Sequence, residues 1–378
     1  MTEVNIISYN AKGLRDKLKR KTIFKFVKEK VKEGIVCLQE THSSQEVHNT
    51  WKQEWNNDAF FNDATSNSAG VAILIALERD YEILKYYKDE HGRLQIVSIT
   101  FDNKIFLVVN IYNYNNEHEQ VGLLVQMNDA LENFGTFDDH EIIISGDFNF
   151  VYDLKLDTLG GNPTLKLNSL SHITKIIEKY DLCDIFRVRY PKSKRFTFRT
   201  KNNNICRRLD HFLISNTIQE SVRSVSILPS VRSDHSPIFV SFKNLDECKK
   251  GPGLWKFNNS LLQNEEFCTL LNNKIDTLAL EYTNIVDHQI KWELMKFEVI
   301  SFSMKFSKQL AREKRKRKLN LENIIKDYES KSGEFSVFLE NEYLEAKNEL
   351  DLILENETKG IILRSKCLMY GEKSTKYF

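Results

Sequence analysis

The sequence lacks the markers of most protein classes. Its six cysteines (Cys37, Cys183, Cys206, Cys248, Cys268, Cys367) are scattered, with no C-x-x-C pair and no regular spacing, which excludes a disulfide framework and predicts reduced thiols. No apolar run approaches the roughly 20 residues that a membrane span needs. Charges begin at Glu3 and Lys12, so no signal-peptide pattern is present. With five prolines and 14 glycines there is no internal repeat, and the only biased tract is one basic run. An excess of one charge is also missing: 54 Lys and Arg against 53 Asp and Glu leave a formal net charge of +1, so any affinity for nucleic acid has to come from local patches. These absences predict a protein of the nucleus and cytoplasm, neither secreted nor in a membrane.

What is present is enough material for a full core. The chain has 378 residues, 41% of them hydrophobic, and exceeds the usual size of one domain, so one large domain plus an extension is expected. Val4 to Tyr9 reads as a strand ending at Asn10, followed by a helix around Ile23, Phe24, Val27 and Val31. Ile35 to Gln39 is a buried strand that delivers Glu40. Further strands are expected at Val71 to Ile75, Leu94 to Phe101, Ile105 to Tyr112, Ile142 to Ile144, Phe196 to Phe198, Leu209 to Ile214 and Ile238 to Phe242. Helices are expected at Val121 to Phe134 and Leu170 to Tyr180. Many short strands, few helices and acids at strand ends predict a two-sheet α/β sandwich over residues 1–243. After Phe242 the composition shifts: a linker over 244–257 containing Gly251-Pro252-Gly253 leads into an α-helical extension over 258–378. There Leu321, Ile324, Ile325 and Tyr328, then Leu339, Tyr343, Ala346, Leu350 and Ile353, recur at helical spacing, which predicts two amphipathic helices separated near Gly333. The basic run, Lys308 to Lys318, lies just before them.

The stretch Gly146-Asp147-Phe148-Asn149 closes the most apolar strand, and strand ends are where reactive groups collect. Asp147 offers an acceptor-only carboxylate, and Asn149 has both a donor and an acceptor, a pairing suited to holding a water beside a charged oxygen. A hard divalent cation such as Mg²⁺ takes oxygen ligands and is held by one or two carboxylates, with Glu40 the first choice and Asn10 and Asp234 as further candidates. His235 is the candidate histidine. Its orienting carboxylate is either Asp234 or Asp210, and because adjacent side chains on a strand point oppositely, Asp210 is favoured; His211 reads as structural. Such a set suits phosphodiester hydrolysis, with Asp147 and Asn149 positioning water, and His235, Asn149 and the Tyr112 hydroxyl stabilising phosphate charge. Either Asp147 or the Asp210/His235 pair could remove the proton.

The ordered set Ser8-Tyr9-Asn10, Leu38-Gln39-Glu40-Thr41, Asn110-Ile111-Tyr112, Gly146-Asp147-Phe148-Asn149, Arg208-Leu209-Asp210-His211-Phe212 and Ser233-Asp234-His235-Ser236-Pro237 resembles the endonuclease/exonuclease/phosphatase superfamily. More narrowly it resembles the apurinic/apyrimidinic-type endonuclease domain of LINE-type non-LTR retrotransposon open reading frame 2 proteins. One departure is Asn113-Tyr114, where many relatives carry Ala-Pro. The resemblance implies Mg²⁺-dependent nicking of double-stranded DNA, with Mn²⁺ as a substitute, leaving a 3′-hydroxyl that primes reverse transcription. It places Asn10 and Glu40 at the metal, Tyr112 and Asn115 at phosphate contacts and Thr197 at a DNA contact. Asp210, Ser233, Asp234 and His235 complete the catalytic set, with Ser233 on the DNA side. It also implies that 258–378 is a connector preceding a reverse transcriptase. The closing residues Gly371 to Phe378 fit that expectation of a piece of a longer protein.

Two other functions compete. Sister branches of the same fold cleave phosphoinositides or sphingomyelin, since fold does not fix substrate. The basic residues Lys192, Lys194, Arg195, Arg199, Lys201, Arg207 and Arg208 around Thr197 favour a polyanionic groove instead, with Arg195 and Arg199 as DNA contacts. The other competitor is a catalytically inactive remnant that binds nucleic acid. The run 308–318 is expected to contact nucleic acid, element RNA included.

Overall fold

The computed structural model describes residues 3–64, 69–134, 140–243, 257, 259–330 and 337–371. The chain begins with β1 (Val4–Asn10), α1 (Lys17–Val31) and β2 (Gly34–Gln39), then α2 (His48–Trp55), β3 (Ala59–Asn62), β4 (Val71–Ala76), β5 (Glu82–Lys88), β6 (Leu94–Phe101) and β7 (Lys104–Tyr112). It continues through α3 (Glu117–Glu132), β8 (His140–Asp147), β9 (Thr158–Leu159), α4 (Leu167–Lys179), β10 (Leu182–Asp184), α5 (Ile185–Arg189), β11 (Phe198–Arg199) and β12 (Cys206–Arg207). The strands β13 (Asp210–Ser215), β14 (Val222–Ile227) and β15 (Ile238–Phe242) precede three helices, α6 (Glu265–Glu281), α7 (His288–Ser330) and α8 (Val337–Gly371).

Two six-stranded sheets, ordered β14-β15-β1-β2-β4-β3 and β10-β13-β8-β7-β6-β5, form the sandwich, and β11-β12-β9 makes a small third sheet. Alternation along the strands sorts their side chains between two cores. Val97 and Ile99 of β6, Val108 of β7 and Ile143 of β8 face Ile6, Ile35, Cys37 and Ile73 of the other sheet. Their neighbours Ile96, Leu107, Val109, Ile142 and Ile144 pack under Leu123, Leu124, Met127, Ile173 and Ile176 of α3 and α4. Strands covered on both faces read as unbroken apolar runs, which explains the sequence pattern.

Each sheet contains one parallel pair joined through a helix. β1 runs beside β2 with α1 between them in sequence, and β7 beside β8 with α3. Parallel pairing brings carboxyl ends to the same edge. Tyr112 lies opposite Asp147, and the antiparallel β13 returns Asp210 to the other side of Asp147. A buried polar link fixes one sheet against the other just behind that edge. The Asn110 Nδ2 donates to the carbonyls of Leu38 at 3.0 Å and Ala72 at 2.9 Å, while Gln39 Nε2 donates to Asn110 Oδ1 at 2.7 Å and Ser8 Oγ at 2.9 Å.

The expected strand at Phe196 to Phe198 differs. Ladder pairing covers only Phe198 and Arg199, and Thr197 before them turns its hydroxyl to the Leu209 and Asp210 N–H groups at the start of β13. The helical extension also divides. Residues Met1–Glu247 together with Ile324–Phe378 form one compact unit, and Cys248–Asn323 a second, so the expected connector over 258–378 is cut inside α7. In the first unit Ile325, Tyr328, Tyr343, Ala346, Leu350 and Leu354 are buried, and Tyr328 stacks on Tyr343 at 4.3 Å. In the second unit Phe267 of α6 is buried between Phe302 and Phe306 of α7, at 6.0 and 5.2 Å. Most of the expected linker, Gly333 and the residues after Gly371 lie outside the described residues. Among the described residues no helix is long and apolar enough to cross a membrane, and Cys37, Cys183, Cys206 and Cys268 are free thiols.

Candidate active site

The carboxyl edge of the two sheets gathers six polar side chains. Asn10 at the end of β1 is fully buried and donates through Nδ2 to Glu40 Oε1 at 2.9 Å and to Asp147 Oδ2 at 3.0 Å. Its Oδ1 accepts from the Lys12 N–H at 3.0 Å, which fixes the orientation of the amide. Glu40, just past β2, is aimed by a left-handed backbone turn with φ of 50°. The Tyr112 hydroxyl donates to the same Oε1 at 2.8 Å. Burial and then the Glu40 charge raise the Tyr112 pKa far above its ordinary value, so the phenol keeps its proton.

Beside this group lie Asp147, Asp210 and His235. All three are buried, and a ligand atom from each falls within 4.8 Å of the others. His235 Nδ1 is 2.8 Å from Asp210 Oδ2, and Nε2 is 3.7 Å from Asp147 Oδ2. The choice between Asp210 and Asp234 as the orienting acid thus falls to Asp210. Burial alone would lower the His235 pKa, but Asp210 and Asp147 lift it to about 10, so the ring is an imidazolium at neutral pH. Burial pushes the Asp147 carboxyl up, to about 7, against the opposing pull of His235 and with Asp210 adding to the rise. Within this pair the imidazolium is the fixed charge, and Asp147 is the group that exchanges a proton near neutrality.

The other expected residues are placed as follows. Asn149, with φ of 53°, bonds through its N–H to Asp147 Oδ1 at 3.0 Å and through Nδ2 to the Asn113 carbonyl at 2.8 Å. Asn115 is exposed on the loop after β7, and its carbonyl accepts from Lys166 at 2.8 Å. Ser233 Oγ donates to the Asn10 carbonyl at 2.8 Å and accepts from the His235 N–H, so its hydroxyl is spent on holding the histidine loop. Asp234 stands outside the Asp147–Asp210–His235 cluster, as Glu40 also does, and is ion-paired with Lys12. Thr197 is fully buried, and its Oγ1 accepts from the N–H groups of Leu209 and Asp210 at 3.0 and 3.1 Å; it sets the start of β13 and has no surface to offer DNA. Arg199 is 6% exposed and donates to the Glu329 carbonyl, and Arg195 faces the Glu329 carboxylate at 4.0 Å. Neither guanidinium is presented as a DNA contact, because both are used inside the fold.

Several residues at the site carried no sequence signal. Lys166, ahead of α4, donates to the carbonyls of Asn149 and Asn115, and burial lowers its pKa. Arg93 lies over the rings of Tyr112 and Tyr114, at 4.7 and 3.9 Å from their centroids. Both come from segments far from the motifs, and only the folded chain brings them together.

The donor chemistry fits a divalent cation. Asp147 and Asp210 face the imidazolium, Glu40 lies one Asn10 bridge away from Asp147, and Asp210 Oδ1 is buried without a hydrogen-bond partner. Hard oxygen donors in charge excess are what such an ion takes. Glu40 is the accessible member: both of its bonds fall on Oε1, and Oε2 carries neither. His235, held cationic, does not qualify as a ligand.

This geometry can be set beside known proteins. The chain is 24% identical over 366 residues to an uncharacterized 149 kDa protein of transposon TX1 from Xenopus laevis, covering 96% of this chain and 27% of that protein. It therefore spans about a quarter of that relative's length. An exodeoxyribonuclease of Bacillus subtilis is 25% identical over 258 residues, covering 62% of this chain and 98% of the relative. Among solved structures, AP endonucleases from Leishmania major and Archaeoglobus fulgidus share the fold, with TM-scores of 0.53 and 0.52 at 17% and 20% identity. Each likeness covers 64% of this chain, and they take in 88% and 100% of those chains. The family model that matches residues 7–235 spans the whole interval from β1 to His235, and with it the chain belongs to the endonuclease/exonuclease/phosphatase family.

Proposed function

We propose that this chain is a Mg²⁺-dependent DNA endonuclease that nicks double-stranded DNA and leaves a 3′-hydroxyl for priming reverse transcription. The observation that supports this reading most is the convergence of Asn10, Glu40 and Tyr112 with Asp147, Asp210 and His235 on one sheet edge. The DNA substrate is supported by the nuclease names of relatives, and the priming role by the transposon relative.

Asp147, with its raised pKa, accepts the proton of a water that attacks the phosphorus. Asn149 is locked against Asp147 and the Asn113 carbonyl and orients that water. As the P–O3′ bond breaks, the imidazolium of His235, held by Asp210, and the Tyr112 phenol stabilise charge on the phosphate oxygens. The departing O3′ takes a proton from solvent water and becomes the hydroxyl. Glu40 would hold the metal ion, which would supply Lewis-acid neutralisation of phosphate charge, while Asn10, whose Nδ2 and not its oxygen faces the site, steadies Glu40.

Relaxation of supercoiled plasmid tests the reading. Open circles should form with Mg²⁺, be absent with EDTA, and form at least about 100-fold more slowly with Asp147→Ala. A mutant as fast as wild type removes Asp147 from the mechanism, and no nicking by wild type under any divalent ion refutes the proposed function.

A further inference from the structure

The loop that presents His235 is held between strand β1 and the chain's own late helices. On the sheet side, the Val231 N–H donates to the Tyr9 hydroxyl at 3.1 Å and Ser233 Oγ donates to the Asn10 carbonyl. On the other side stands a helical arm, the end of α7 from Ile324 with α8, which belongs to the same compact unit as the sandwich. Arg232, in a left-handed conformation with φ of 57°, forms an ion pair with Glu355 of α8. Asp351, one turn earlier on α8, feels both the Arg232 charge and its backbone N–H.

Two residues on from Arg232, the Asp234 carbonyl accepts from the Arg199 N–H at 3.0 Å, and Phe198 makes an isolated β-bridge with His235. The Arg199 side chain then reaches the arm, where it donates to the Glu329 carbonyl at 3.0 Å. Glu329 is 2% exposed, faces Arg195 at 4.0 Å and accepts from the Tyr343 hydroxyl at 3.4 Å. Nothing in the chemistry of the site calls for these contacts, yet they bind the histidine loop to a segment far along the chain.

We infer that the helical arm made of residues 324–330 and 337–362 is a positioning part of the active site, with Arg232–Glu355 and Arg199–Glu329 setting the place of the His235 loop. Arg199, Arg232, Glu329 and Glu355 are positioning residues, acting through Asp234 and His235. The inference rests on the proposed nicking activity for its kinetic readout and on geometry for the rest. A rival explanation treats Arg232 as a plain DNA contact, and charge reversal separates the two. Under the rival, Glu355→Arg adds positive charge and tightens DNA binding with an unchanged rate. Under positioning it slows the reaction at saturating DNA.

The test uses the full chain. Plasmid nicking is measured for Arg232→Glu, Glu355→Arg and the double variant, together with hydrogen exchange of the amides from Val231 to Ser236. Each single variant should lower kcat about tenfold with KM changed less than about twofold, and should speed exchange in the loop by a similar factor. The double variant, with the pair reversed, should regain most of both. Glu355→Gln, which removes the charge at constant size, serves if charge reversal unfolds the protein. Single variants with wild-type kcat and wild-type exchange overturn the inference, as does a double variant no better than either single. Should the wild type not nick DNA at all, the nuclease reading falls and hydrogen exchange alone decides: loosening restored in the double supports positioning, and unchanged exchange overturns it.

Discussion

At the level of single residues, the site depends on a charge that burial opposes. His235 is buried, yet Asp210 and Asp147 hold it protonated. Asp210→Asn keeps the shape and removes most of that support, so in metal-free protein the His235 titration should move down from about 10, and nicking should fall by about two to four orders of magnitude. NMR titration and plasmid relaxation read the two effects; an unmoved titration would mean that Asp210 does not carry the charge. A second buried network lies just behind. Arg208, 1% exposed, bonds to Asp157 at 2.6 Å and to Asp184 at 2.7 Å, while His211 packs edge-on against Phe148 and Tyr152. Burial works against both acids, but Arg208 holds them below the ordinary carboxylate range; burial lowers His211. A depressed pKa contributes stability that is present above the unfolded value and lost as pH falls. These groups should therefore cost the fold stability as pH drops below about 6.5, where the unfolded histidine charges, and again below about 4, where the unfolded acids protonate, while Asp147, raised to about 7, works the other way over the first interval. His211→Phe should thus make the melting temperature rise relative to wild type as pH falls from about 7 to about 5, and a pH dependence equal to wild type would take His211 out of this account. The polar residues of this edge stood out in the sequence because each borders an apolar strand: Glu40 follows β2, Asp147 ends β8, Asp210 opens β13 and His235 lies shortly before β15. Thr197, Arg195 and Arg199 were misread, because burial and partners decide their role, and neither is written in local sequence.

At the level of elements, the unbroken apolar runs of β1, β2, β4, β7 and β8 were readable because both of their faces are covered. β5, with its mostly exposed EILKYYK, and β14, whose alternation is broken by consecutive exposed Arg223 and Ser224, were not, since their edge positions leave little apolar pattern. Parallel pairing leaves its own mark. Gly34 opens β2 and Gly146 precedes Asp147 in β8, both with φ of 149°, and a Cβ there would lie 1.7 Å from the Asn5 carbonyl oxygen or 1.9 Å from that of Ile111. No side chain fits at either place without moving a backbone. Gly146→Ala should destabilise the protein by about 3 kcal/mol. It should also slow nicking, because the strand shift it forces moves Asp147. Chemical denaturation and plasmid relaxation on one preparation check both, and a variant of wild-type stability would show that the two strands are free to separate there.

At the scale of the whole molecule, the sequence marked a change of character near residue 245, close to where the units part after Glu247, but not that the chain from Ile324 returns to the first unit. Helical periodicity reveals which face of α8 is apolar, as Tyr343, Ala346 and Leu350 show, but not which surface it will cover. The near-zero net charge conceals an uneven distribution. Lys308, Arg312, Lys314, Arg315, Lys316 and Arg317 of α7 are exposed, and in the run from Lys308 to Lys318 the one acid is Glu313. A polyanion binding this stretch would release counterions, so affinity should fall steeply with salt. Replacing Lys314, Arg315 and Lys316 with glutamine retains helix propensity while removing three charges. If each meets a phosphate, the slope of log affinity against log salt becomes shallower by about 2 to 3. The nicking rate at saturating DNA should stay as it was, because none of these residues belongs to the His235 site. Equilibrium binding across a salt series gives the slope, and a slope unchanged by the triple substitution would assign the charged face of α7 to solvent.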